Sequence, residues 1–150
     1  MFFSMNLDRM RTLMSRKWSD FVRVASDAKD SSSAGLDLIA LYDSFDESQK
    51  ALADVVAAEW VASPDFSTRW AGRVLVGHFE ITSALPAVRA SAARLQASVD
   101  PYELAEAEAD LRLLERAAAW RDRLTCRQST GTPAPYWQRI NRCLLRLRSF

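Results

Sequence analysis

Four glycines and five prolines in 150 residues leave little turn chemistry for a sheet-rich fold. The abundance of Ala, Leu, Arg and Glu instead favours helix throughout. Cysteine is nearly absent. Cys126 and Cys143 are too few and too far apart for a disulfide framework, and two cysteines with one histidine make no zinc pattern. Both are expected to be reduced packing or surface residues, an intramolecular disulfide being the alternative. Long apolar runs are missing too: the most apolar stretch, 52–62, contains Asp54 and Glu59 and falls short of the roughly 20 residues of a membrane span. Met1-Phe2-Phe3-Ser4-Met5 is interrupted by Asp8 and Arg9 before a secretory apolar core of about 7–15 residues can form. These absences predict an all-α, cytoplasmic protein with no cofactor, metal or membrane partner. Its length suits a single helical domain over 1–150, able to bury roughly 68–70% of its unfolded surface. Lysine is scarce, with 17 arginines against three lysines, a usage associated with GC-rich bacterial genomes.

The net charge of +1 hides an uneven distribution. Residues 1–30 carry six basic and four acidic side chains, residues 31–111 five and thirteen, and residues 112–150 nine and two. An acidic middle beside a basic end can steer a charged partner, or the two regions can neutralise each other within the folded domain.

Leu7, Met10, Met14, Trp18, Phe21 and Ala25 recur at steps of three and four and predict one amphipathic helix. Ser31-Ser32-Ser33-Ala34-Gly35 breaks the pattern. A short helix over about 36–45 follows, then a longer one over about 47–62 capped by Asp46, with Leu52, Val55, Val56 and Trp60 inward. Pro64 stops it, and Asp65 caps a helix carrying Phe66, Trp70, Val74 and Gly77 on one line with Ala71, Leu75 and Phe79 beside it. Thr82 or Ser83 is placed to cap the next, with Pro86 in its first turn and Leu85, Val88, Ala92, Leu95 and Val99 inward. Asp100-Pro101-Tyr102-Glu103 combines a cap, an N1 proline and a glutamate able to reach back, ahead of an expected core face of Leu104, Ala107, Leu111, Leu114 and Ala118. A polar loop over about 125–134 and a last helix from Pro135, with Trp137, Ile140, Leu144 and Leu147 inward, bring the count to about seven.

Ala62-Ser63 recurs as Ala97-Ser98, and Pro101-Tyr102 as Pro135-Tyr136, a spacing that suits stacked helical hairpins. The stretch from Asp65 through Arg69, Ala71, Leu75 and Gly77, followed by Ala84, Pro86, Val88 and Leu95, resembles a HEAT-type repeat. The resemblance implies antiparallel hairpins stacked as a short α-solenoid, with the HEAT-like hairpin at about 65–98 and a surface that binds protein or, less often, nucleic acid. Trp70 and His78 depart from it, standing where many repeats carry smaller or aliphatic residues. A helical bundle containing one such hairpin is the alternative.

Catalytic chemistry is thin. His78 lies on an apolar helix beside Phe79 without a paired Cys or His, and Glu103, Glu106, Glu108 and Asp110 read as a solvated face near a helix N-terminus. No P-loop, G-x-G-x-x-G or G-x-S-x-G occurs. The expectation is therefore a protein that is not an enzyme. It would neutralise or regulate a protein partner by surface occlusion, as bacterial immunity proteins and antitoxins do, the partner being a basic toxin or nuclease. Asp43, Asp46, Glu47, Asp54, Glu59, Asp65 and Glu80 are the acids expected to meet it, with Trp60 and Trp70 as aromatic anchors. The alternative is a nucleic-acid-associated regulatory protein that binds phosphate through Arg139, Arg142 and Arg146, which fall on one helical stripe.

Overall fold

Side chains that satisfy free backbone amides set most of the helix starts. The structure, a computed structural model, describes the backbone of residues 4–130 and the side chains of residues 4–120. Asn6 Oδ1 accepts from Arg9 N at 2.9 Å and opens α1 (Leu7–Asp27). After it Lys29 adopts a left-handed conformation, and the Asp30 carboxylate accepts from the amide and hydroxyl of Ser32 ahead of α2 (Ser33–Asp43). The expected break at 31–35 is thus shorter than its composition suggested. Gly35 lies inside α2, where a Cβ would stand 2.9 Å from the Trp70 ring.

Asp46 and Gln49 form a reciprocal capping box at α3 (Glu47–Val61), and Asp65 caps α4 (Phe66–Phe79) through the Thr68 amide at 2.9 Å. A short 3-10 turn (Thr82–Ala84) leads into α5 (Leu85–Gln96), which starts without a side-chain cap; neither Thr82 nor Ser83 supplies one, and Pro86 in the first turn removes one of the amides needing a partner. Asp100 Oδ1 accepts from Tyr102 N at 2.9 Å at the start of α6 (Pro101–Thr130). The Asp100 amide is taken by Ser98 Oγ at 3.1 Å, the bond expected of Glu103. α6 continues through Thr130 where a loop was expected from 125, because polar residues alone do not end a helix; the breakers Gly131 and Pro133 come later. Six α-helices stand among the described residues, and the helix expected from Pro135 lies outside them.

The most extensive packing is between α3 and α4 and between α5 and α6; α1 lies on α2 and α3, α2 on α4, α3 on α5, and α4 on α6. α3 and α4 cross closely at Gly72, where a Cβ would stand 2.7 Å from the Val61 amide nitrogen and 3.0 Å from the Ala57 carbonyl oxygen. The core runs from Met10, Met14 and Trp18 of α1 through Leu38, Val56, Trp60 and Leu75 to Val88, Leu113 and Trp120.

α6 turns a different face inward from the one its leucines suggested. Glu106, Ala107, Asp110, Leu113, Ala117 and Trp120 are buried, while Leu104, Leu111 and Ala118 are exposed. The expectation of a solvated acidic face is corrected for Glu106 and Asp110, while Glu108 is exposed as expected. Glu106 takes both Nε and Nη2 of Arg69 at 2.8 Å, Arg73 Nη2 reaches Glu106 at 2.9 Å, and Arg73 Nε donates to Asp110 at 2.5 Å. The remaining Arg69 nitrogen donates to the carbonyls of Ser63 and Pro64, so α4, the turn before it and α6 are tied at one buried node. The pairing of Arg69 with Glu106 and Arg73 with Asp110 runs α4 and α6 in the same direction.

One buried hydroxyl is left out of the bonding. Ser91 on α5 is 2% exposed, and its Oγ has no hydrogen-bond partner among the described residues. Ser91→Ala removes that desolvated group and improves helix propensity, so thermal unfolding is expected to show a gain of about 1 kcal/mol, or about 3 °C. A loss instead would mean that the hydroxyl bonds to something inside the fold.

Candidate protein-binding surface

The acids expected to meet a partner have separate local roles. Asp46 and Asp65 are helix caps. Each is held below the ordinary aspartate range by the hydrogen bonds it accepts, Asp46 first from the Gln49 amide and Asp65 first from the Thr68 hydroxyl. Glu59 is gripped by Arg11, whose Nε and Nη2 reach its two oxygens at 2.9 and 2.6 Å, and that bond lowers its pKa. Asp54 accepts from the Tyr42 hydroxyl at 2.6 Å; its burial raises its pKa against the pull of that bond. Burial and the same bond raise the Tyr42 phenol. Glu47 lies 3.7 Å from Lys50, Asp43 is exposed at the end of α2, and Glu80 holds the left-handed position that ends α4.

These groups are strung along the fold and do not form one patch. Glu47 and Glu59 sit at opposite ends of α3, about 18 Å apart at the helical rise of 1.5 Å per residue. Asp43, Glu47 and Asp54 do gather around Tyr42, since all three act electrostatically on its hydroxyl.

The two expected anchors part company. Trp60 is only 7% exposed and belongs to the core, so it has almost no surface for a partner. Trp70 is 36% exposed, and its ring stacks on Trp18 of α1 with centroids 5.9 Å apart and planes at 26°. One turn earlier on α4, Phe66 is 58% exposed; one turn after Trp18 on α1, Val22 is 36% exposed. Beside them an open groove of about 450 Å³ runs between the second half of α1 and the start of α4, lined by Trp18, Val22 and Arg23 on one side and Asp65 and Thr68 on the other.

The sequence points to Trp70 and Asp65 here and to Trp18 as core, as found, but it also reads Phe66 as core and gives no role to Val22. A usable signal was present: an apolar stripe on α4 broad enough to take in Phe66, Trp70, Val74, Leu75 and Phe79 cannot all face inward when Arg69, Gly72 and Arg73 occupy the inner side. His78 lies edge-on to Phe79, ring centroids 4.6 Å apart. Among the described residues no group of three His, Cys, Asp or Glu side chains is arranged to hold a metal, and no helix is long and apolar enough to cross a membrane. Arg139, Arg142, Arg146 and Cys143 lie outside the described residues; Cys126 falls within α6.

Compared with protein-family models, with curated proteins and with solved structures, the chain matches none. Fold and surface together define an all-helical protein with an exposed aromatic face beside a groove.

Proposed function

We propose that this chain is a non-enzymatic protein-binding module that neutralises or regulates a protein partner by covering its surface, in the manner of bacterial immunity proteins and antitoxins in the cytoplasm. The observation that carries this reading is the pair Phe66 and Trp70, exposed one turn apart on α4, with the Trp70 ring stacked on Trp18 of α1. Solvent-facing aromatics on a rigid, packed base are the kind of residue that dominates binding energy at protein interfaces. Asp43, Glu47 and Asp54 around Tyr42 supply the acidic flank suited to a basic partner such as a nuclease-like toxin.

In this reading α1/α2, α3/α4 and α5/α6 are three hairpins stacked as a short α-solenoid, as the HEAT-type resemblance implies. Its support is the packing of helices two apart in the chain, α1 on α3, α2 on α4, α3 on α5 and α4 on α6.

The test is capture of a partner from the native host by the wild-type chain and by Phe66→Ser with Val22→Ser, using Arg89→Ser as a control. Arg89 is exposed on α5, which packs on α3 and α6. The expected result is one co-purifying protein whose affinity falls at least about 30-fold in the α1/α4 variant and stays unchanged in the control. Capture that survives this change but is lost with Asp43→Lys and Glu47→Lys would move the site to the α2–α3 corner. Capture of nuclease-sensitive material alone would overturn the protein-partner reading in favour of the stripe of Arg139, Arg142 and Arg146.

A further inference from the structure

The groove between α1 and α4 carries more negative than positive free charge. Its one arginine, Arg23, is held by Asp20 of the same helix at 3.3 Å. Asp27 also lines the groove, is exposed, and makes no hydrogen bond or ion pair among the described residues. Asp65 uses one carboxylate oxygen, Oδ2, for both the Thr68 amide and the Thr68 hydroxyl. Its other oxygen has room for a donor from outside.

Val22, 36% exposed, lines the same groove with the buried Trp18, and the 36%-exposed Trp70 ring stacks against Trp18. A guanidinium suits this combination better than an ammonium, because it pairs with carboxylates through a planar fork and stacks on aromatic rings. Phosphate or a carboxylate would meet two negative groups and no unpaired cation lining the groove.

Resting on the protein-binding reading above, we infer that the α1/α4 groove takes a partner segment in which an apolar side chain adjoins an arginine. The apolar side chain sits on Val22 and the exposed part of the Trp70 ring, and the guanidinium pairs with Asp65 and Asp27.

Two small probes test this on the full chain: acetyl-Leu-Arg-amide and acetyl-Leu-Glu-amide, matched in their apolar residue and opposite in charge. The readout is the NMR shift of the indole N–H signals of Trp18 and Trp70 and of the Thr68 amide. Compounds of this size bind weakly, so saturation is expected at roughly millimolar concentration. The arginine probe is expected to bind at least tenfold more tightly than the glutamate probe, with the preference lost in Asp27→Asn with Asp65→Asn. Asparagine is as good an N-cap as aspartate, so the double variant keeps α4 capped while losing both charges. Equal binding of the two probes, or no shift with either, overturns the inference. So does a concentration-dependent dimer of the wild type that the double variant abolishes, since the groove would then belong to a second copy. A probe failure alongside partner capture that still depends on Phe66 and Val22 sinks only this inference; capture of nuclease-sensitive material alone sinks the protein-binding reading as well.

Discussion

Glu106→Ala is expected to lower the free energy of unfolding by about 3–5 kcal/mol, a large fraction of the total for a domain of this size. The substitution removes the carboxylate that Arg69 grips through two nitrogens and that Arg73 also reaches, leaving two buried guanidiniums short of their counter-charge. Asp110 still holds Arg73, and the carbonyls of Ser63 and Pro64 still hold one nitrogen of Arg69, so the fold is weakened without its contacts being abolished. Urea unfolding of wild type and variant measures the difference; a loss under about 1 kcal/mol would place Glu106 in solvent.

The pH dependence of this node has a definite sign. Burial pushes the Glu106 pKa up, but the hydrogen bonds from Arg69 and Arg73 outweigh it and hold the carboxyl below its ordinary 4.5. The stabilisation is therefore complete above that unfolded value and is lost as pH falls through the lower folded one. The stability gap between wild type and Glu106→Gln should stay constant from about pH 5 to 8 and narrow below about pH 4.5. A gap that widens on acidification would reverse the sign of the assigned shift.

Gly72→Ala is the second large effect. The new methyl would meet backbone atoms of α3, which cannot swing aside as a side chain can, so the two helices must move apart. A loss of about 3 kcal/mol is expected, the upper part of the usual overpacking range, even though alanine is by itself the better helix former. Gly77→Ala on the same helix is the comparison. There a Cβ meets only the Leu113 Cδ1 methyl at 3.3 Å, and the change is expected to be close to neutral. Similar losses at both positions would mean that α3 and α4 do not cross where Gly72 lies.

The contrast between these glycines and carboxylates shows where the sequence could be read and where it could not. Asp46, Asp65 and Asp100 were legible as caps because capping is settled within three residues of chain, and Pro86 because a first turn tolerates it. The seam of α1 was legible because Met10, Met14, Trp18 and Ala25 fall at helical spacing among mostly polar neighbours. The inward face of α6 was not. Leu104 and Leu111 promised one face, while the face that packs includes Glu106 and Asp110, whose partners stand 37 residues earlier. Carboxylates look solvated until the arginines that neutralise them are known. The clue was the matched i, i+4 spacing of Arg69 with Arg73 and of Glu106 with Asp110.

The candidate site was half legible for the same reason. Asp65 and Trp70 could be named one by one, but the groove needs Trp18 and Val22 from a helix about 50 residues away in sequence, and tertiary packing alone brings them beside α4. Glu59, proposed as a partner contact, instead reaches Arg11 of α1, a pairing equally remote in sequence.

A protein partner held at the α1/α4 face protects the amides there. In amide hydrogen exchange of the chain alone and in complex with its captured partner, slowed exchange is expected in residues 18–27 and 65–72, with lesser slowing at the acidic α2–α3 flank and little change across 131–150. Slowing confined to either of those last two regions, with the α1/α4 face exchanging as in the free chain, would contradict that placement.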